Sequence, residues 1–133
     1  MSDYDLPEEN RYSTDDEWVR ESAPGLFRIG ISDYAQRQLG DVVFVELPDP
    51  GTNFDTGQAF GVIESVKAVS DLCMPIGGEV VETNSALEDA PETVNEDCYG
   101  EGWLIAVRPS ELSDLDALMD AAAYSKQLAE RDD

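Results

Sequence analysis

The amine of Lys67 is the most distinctive reactive group in this sequence. It sits in Glu64-Ser65-Val66-Lys67-Ala68-Val69-Ser70-Asp71, between two stretches that read as strands. Residues 59–63 are apolar and partly β-branched, and residues 68–74 alternate loosely before Pro75 stops them. That pattern puts Lys67 at the tip of a β-hairpin. The chain has only two lysines, Lys67 and Lys126, against 30 acidic residues. Most turn lysines are simply solvated charges. A scarce one on a protruding turn with small neighbours also suits a side chain that other proteins must reach and modify. A primary amine forms an amide with a carboxylic acid, and its four-carbon stem adds reach. Lys126 lies among Ala, Gln and Glu on a helical stretch and is given no role.

Other chemistries are thinly represented. The sequence has no histidine, which removes the commonest general base, the commonest metal ligand and any Ser-His or Cys-His nucleophile. Cys73 and Cys98 are too few for a disulfide scaffold and have no metal-site spacing; Cys73 reads as a small core residue in a strand. Neither an Asp-rich calcium loop nor a phosphate-cradling glycine loop occurs. The formal charge of −22 repels nucleic-acid phosphate and anionic membrane surfaces, so neither is expected as a partner. No apolar run reaches membrane-spanning length and the N-terminus lacks signal-peptide features, so the expected location is the cytoplasm. The acids are spread along the whole chain and arginine outnumbers lysine six to two. Such self-repulsion suits a salt-rich, halophilic cytoplasm, where screening shrinks to about 3 Å near 1 M salt.

With 133 residues, 41% of them hydrophobic, the chain has the size and composition of one domain with a real core. Residues 1–10 are acidic and poor in apolar groups, which predicts a frayed start. Residues 11–20 read as an extended segment anchored by Tyr12, Trp18 and Val19. Pro24-Gly25 is a turn and residues 26–31 a strand. Ser32 is an N-cap for a short helix over 33–39, closed by Gly40. Residues 42–47 form the clearest strand, stopped by Pro48-Asp49-Pro50-Gly51. Further strands are expected at 79–83 and 103–107, with a turn at 75–78 and a loop at 95–100. Ser85 with Glu88 has capping-box spacing for a short helix. Gly40-Asp41-Val42-Val43 resembles Gly78-Glu79-Val80-Val81, a weak internal repeat centred near Lys67. Two such halves would wrap into two facing antiparallel sheets with the hairpin at their junction. After Pro109, Leu112, Leu115, Leu118, Met119, Ala122 and Leu128 recur at helical spacing, with Ser113 and Asp116 as a second capping box. This predicts a core-packing C-terminal helix over 110–130, broken near Ala123-Tyr124.

The Lys67 octapeptide resembles the lipoylation site of the glycine cleavage system H protein family. So, in the same order, do Glu17-Trp18, the 30–36 stretch Gly-Ile-Ser-Asp-Tyr-Ala-Gln, Leu39-Gly40-Asp41-Val42-Val43, Val45-Glu46-Leu47-Pro48, Gly78-Glu79-Val80-Val81, Val94-Asn95 and Gly102-Trp103-Leu104. The resemblance runs over roughly residues 11 to 128. It implies a mainly β fold, the lipoyl/biotinyl-type barrel-sandwich hybrid of two small antiparallel sheets, with short helices and a C-terminal helix. Biotin carriers share this fold but usually flank their lysine with methionines; here Val66 and Ala68 stand there. Lipoyl modules of oxoacid dehydrogenases are shorter and usually carry Asp before the lysine.

The resemblance implies lipoate attached to Lys67 by a lipoylating enzyme, within the motif Glu64, Ser65, Val66 and Ala68. It implies a non-catalytic carrier, expected as a monomer, serving three enzymes. The P protein, a pyridoxal-phosphate glycine decarboxylase, would load the aminomethyl group of glycine onto the arm. The T protein, an aminomethyltransferase, would pass the one-carbon unit to tetrahydrofolate, and the L protein, a dihydrolipoamide dehydrogenase, would reoxidise the dithiol. An unmodified interaction module, or a relay that only hands on lipoate, is the reading from another class. Glu17 and Asp71 match family positions lining the cleft that receives the loaded arm, with Asp15 beside them; most acids in so acidic a chain are only solvated surface. Asp16 stands where the family commonly has histidine, and Asp15 replaces a frequent serine.

Overall fold

In the computed structural model, which describes residues 4–131, the chain forms two antiparallel sheets around a shared apolar core. The larger has six strands, β1 (Arg11–Tyr12), β2 (Glu17–Ala23), β3 (Leu26–Ile31), β5 (Asn53–Phe54), β8 (Gly78–Thr83) and β9 (Ile105–Pro109), in the order β1-β2-β3-β9-β8-β5. The smaller is β4-β6-β7, from β4 (Val42–Glu46), β6 (Ala59–Ser65) and β7 (Val69–Cys73). Helix α1 (Asp33–Leu39) follows β3, short helices α2 (Ala86–Asp89) and α3 (Thr93–Glu96) separate β8 from β9, and α4 (Ala121–Arg131) ends the described chain.

Strand alternation assigns each side chain to a layer. Val19, Ile29, Ile31, Val80, Ile105 and Val107 of the large sheet meet Val45, Ile63 and Leu72 of the small one in one buried cluster. Trp18, one step out of phase with Val19, belongs to a second cluster with Tyr12, Tyr124 and Leu128, through which α4 docks. Trp18 is wholly buried, its indole N–H donates to the Cys98 carbonyl at 2.9 Å, and its ring lies over Gly30, its cross-strand partner. A Cβ at Gly30 would stand 2.6 Å from Trp18 Nε1, so glycine is what lets this ring pack.

Helix α1 has the expected caps: Ser32 Oγ accepts the Ala35 amide, and Gly40 at φ 78° closes the end by donating to the Gln36 carbonyl. Several other expectations change. The stretch 11–20 is divided by a turn at 13–16, where four consecutive polar residues break the strand. Residues 4–10 are tied down: the Asp5 amide donates to Asp33 Oδ2, Tyr99 Oη donates to the Asp5 carbonyl, and Tyr4 and Leu6 pack on the aromatic cluster. Residues 1–3 of the expected frayed start lie outside the described residues. Ser85 is itself helical and its side chain caps nothing, and part of the expected loop at 95–100 is helical, as α3. Cys98, not Cys73, is the buried cysteine.

The C-terminal helix breaks earlier than its leucine period suggests. Met119 exchanges both backbone hydrogen bonds with Tyr12, each 2.8 Å, which takes it out of any helix. Leu112 and Leu115 lie in a 3₁₀ turn (Leu112–Ala117) with Leu112 exposed, Leu118 after it is extended, and Asp120 Oδ1 accepts the Ala123 amide to start α4. The internal repeat survives as pairing. β4 pairs β6 and β8 pairs β9, each with a bulge in the first strand, but the two pairs lie in different sheets. The Lys67 hairpin joins β6 to β7 at one edge of the small sheet and does not bridge the two sheets.

Candidate functional site

The β6–β7 hairpin holds Lys67 exposed at its turn. Ser65 organises that turn: its amide donates to the Ala68 carbonyl at 2.8 Å, and its Oγ accepts the amides of Lys67 and Ala68 at 3.3 and 3.1 Å. The tip is also tied to the body, because the Val66 amide donates to the Asp41 carbonyl at 3.0 Å. Behind it, Asn95 donates to the Gly40 carbonyl at 2.8 Å while its Oδ1 accepts the Val42 amide at 2.8 Å, which fixes the 40–42 support. The Lys67 stem lies over Gly40, where an added Cβ would come 3.4 Å from Cε. The lysine thus stands on a fixed base with its side chain exposed. Around it Val66 and Val69 are 70% and 67% exposed, and no packing restricts access to the amine.

A cavity of about 320 Å³ runs from this tip along β7. Ala68, Val69, Ser70, Asp71 and Leu72 form one wall, Tyr34, Ala35, Gln38 and Leu39 of α1 a second, and Asp15, Asp16 and Glu17 close its end. Asp15 and Asp71 are exposed, whereas Glu17 is only 2% exposed. Ser13 Oγ donates to Glu17 Oε1 at 2.8 Å, and the Cys73 amide donates to Oε2 at 3.3 Å. Burial pushes the Glu17 carboxyl up from 4.5 to about 8; these two bonds oppose the rise, and the nearby charges of Asp15 and Asp16 add to it. Burial therefore favours the protonated form of Glu17 at neutral pH. A larger open groove, about 560 Å³ between residues 4–8 and α4, shares no residue with the hairpin, and none of its lining residues is buried.

The structure thus brings Glu17, Asp15 and Asp71 to one cavity that begins beside Lys67. Glu64 and Val66 take no part in the cavity lining; Glu64 faces Phe44 and Val69 across the small sheet. Sequence reasoning gave no site role to Ser13, Asn95, Tyr124 or Arg131, although Asn95 lies in one of the family-like motifs. The polar run Ser13-Thr14-Asp15-Asp16 carried a turn signal that could have exposed Ser13. Nothing local to Asn95, Tyr124 or Arg131 marks partners 53 to 117 residues away.

The family model described as glycine cleavage H-protein matches residues 10–131. The glycine cleavage system H protein of Anaeromyxobacter sp. (strain K) is 53% identical over 128 residues, covering 96% of this chain and 99% of the relative. That of Chromohalobacter salexigens is 49% identical, covering 96% and 98%. The crystal structure of a glycine cleavage system H protein from Mycobacterium marinum superimposes with a TM-score of 0.85 at 39% identity, over 93% of this chain and 99% of that one.

Proposed function

The chain belongs to the glycine cleavage H-protein family, and we propose that it carries lipoate on Lys67 as the non-catalytic shuttle of the glycine cleavage system. The observation that carries this reading is the exposed Lys67 tip beside a cavity that ends at a buried, protonated carboxyl. The residues fit the group: the amine is open to a modifying enzyme, Val66, Ala68 and Val69 offer no obstruction, and the adjoining cavity has both apolar and acidic walls. When bound through an amide to Lys67 Nζ, the lipoyl group would supply a disulfide that can be opened reductively to hold a one-carbon unit and be reoxidised afterwards, with the P, T and L proteins catalysing the loading, the transfer and the reoxidation.

The protein's own residues provide position and selectivity. Ser65 and Asp41 fix where the arm is rooted, so its free end searches a small volume at high effective concentration. Glu17, neutral in a cavity without a cation, becomes ionised when an ammonium enters, its proton leaving to bulk water. The charge-assisted contact so formed is stronger than a neutral hydrogen bond. Asp15 and Asp71 at the rim add attraction for the same end group. The cavity thereby favours the loaded, cationic end of the arm over the uncharged disulfide. Its partners are the P, T and L proteins and a lipoylating enzyme, its expected state is a monomer in the cytoplasm, and it makes no use of nucleic acid or membrane.

The test uses the purified protein with cognate lipoylating enzyme and P protein. Intact mass gains one lipoyl amide, Lys67→Arg gains none, and only the modified form supports glycine decarboxylation. A protein that is never modified would show an interaction module instead; one that is modified but never loaded by P protein would show a lipoate relay.

A further inference from the structure

Two walls of the cavity are bonded to one side chain from the distant C-terminal helix. Tyr124 is wholly buried and stacked on Tyr12, with ring centroids 4.7 Å apart at 10°. Its hydroxyl donates to Asp16 Oδ1 at 2.8 Å and lies 2.7 Å from Ser32 Oγ. The phenol has a single hydrogen, so Ser32 must be the donor in the second contact. Ser32 Oγ in turn accepts the Ala35 amide at 3.2 Å. A directed chain therefore runs from α1, which forms one wall, through Ser32 and Tyr124 to the acidic turn that forms another.

Arg131 reinforces the same turn. Its Nη1 lies 2.7 Å from Asp16 Oδ1, and its Nη2 donates to the Thr14 carbonyl at 3.0 Å. Asp16 needs such support: among the described residues it is the one non-glycine at positive φ, 71°. That conformation is strained for an L residue, although aspartate tolerates it better than most. The next residue is Glu17, and the turn closes on Ser13, whose hydroxyl holds the Glu17 carboxyl: the Asp16 amide donates to the Ser13 carbonyl at 3.1 Å, and the Ser13 amide to the Glu17 carbonyl at 2.9 Å. A shift of Asp16 is thus passed directly to both groups.

We infer that α4 is a strap that sets the shape of the arm cavity, with Tyr124 and Arg131 as positioning residues for Ser13, Asp15 and Glu17. The strap's use to the arm rests on the carrier reading above; its hold on Glu17 does not. Loss of the strap lets the turn relax, admits water to Glu17 and removes part of the burial that keeps this carboxyl neutral beside Asp15, Asp16 and Asp71.

Two readouts test this on Tyr124→Phe and Arg131→Gln, with Arg131→Lys as the conservative control. Tyr124→Phe keeps the ring, and with it the stacking that docks α4. The first readout is the Glu17 titration midpoint, followed by carboxyl ¹³C NMR in the full, unmodified protein. Tyr124→Phe, which changes no charge, should lower it by about one pH unit; Arg131→Gln also removes a cation that offsets Asp16 and so opposes that fall, and its midpoint is read against Arg131→Lys, which keeps the cation and should stay near wild type. An unchanged midpoint in Tyr124→Phe overturns the strap, whatever happens to the arm. The second readout is the lifetime of the loaded protein without T protein, beside Glu17→Gln. Both strap variants should shorten it several-fold, as Glu17→Gln does. Should the midpoint fall while Glu17→Gln and the strap variants all leave the lifetime unchanged, the carrier cavity is misassigned and the strap on Glu17 stands. Should Glu17→Gln alone shorten it, the strap does not serve the arm.

Discussion

Replacing Glu17 by glutamine isolates the burial of one carboxyl from the general acidity of the chain. Glutamine has the same shape and is always neutral. Turned so that its oxygen meets the Cys73 amide, its NH₂ group reaches Ser13 Oγ, so both hydrogen bonds of the native carboxyl have a counterpart. In the folded protein Glu17 keeps its proton up to about pH 8, whereas the unfolded chain releases it near the ordinary 4.5. Below pH 4.5 both states are protonated, and the stabilising advantage of the neutral form in the fold is fully present. As pH rises from 4.5 to 8 the unfolded state alone loses the proton, so wild-type stability falls relative to the variant by about 1.4 kcal/mol per pH unit. Carried over the whole window this sets a ceiling near 5 kcal/mol, and the cavity's opening to water lowers the expected difference to about 2–3 kcal/mol. Urea denaturation of both proteins at pH 4.5, 6, 7 and 9, at fixed high salt, measures it. The variant should match wild type at pH 4.5 and become progressively the more stable protein, levelling off above pH 8. Parallel pH profiles would refute the reasoning, because they would mean that Glu17 ionises in the fold as readily as any surface acid.

Three further outcomes are expected. Asp71→Asn and Asp15→Asn, both at the exposed rim, should each shorten the loaded form's lifetime by less than about fivefold, as suits screened contacts; no change in either would leave those acids as solvated surface only. Gly30→Ala forces a methyl against the Trp18 ring and should cost about 2 kcal/mol or more in urea denaturation, with a tryptophan fluorescence change reporting loss of the indole contact to Cys98; a silent substitution would contradict the packing described. Stability should rise between low and multimolar KCl as the −22 charge is screened, and a thermal midpoint that ignores KCl would remove the halophilic reading.

Local pattern determined a great deal of this protein. Residues 26–31, 42–46 and 33–39 form their elements within a residue or so of expectation, because β-branched runs, Ser32 and Gly40 act within one turn or strand of themselves. The Lys67 hairpin is local in the same sense. Strand, turn and strand are contiguous, and Ser65 closes the turn from inside. Local signals failed where a distant partner overruled them. Met119 fits the leucine period, yet its backbone pairs with Tyr12, so the helix starts only after it. Ser85 and Ser113 have capping spacing, but neither side chain is used as a cap. The chemistry of Glu17 was beyond the sequence altogether. The resemblance carried by Glu17-Trp18 marks it as a cleft position, but in a chain with 30 acids nothing near residue 17 says that this one is neutral. Its neutral state comes from burial among the α1 and β7 walls of the cavity, against the pull of the Cys73 amide 56 residues away, and in a turn bonded to Tyr124 and Arg131 from the far end of the chain. Hydrogen-bonding pattern and periodicity are properties of neighbouring residues and can be read from them. Desolvation is a property of the volume around a group, and only tertiary structure decides what fills it.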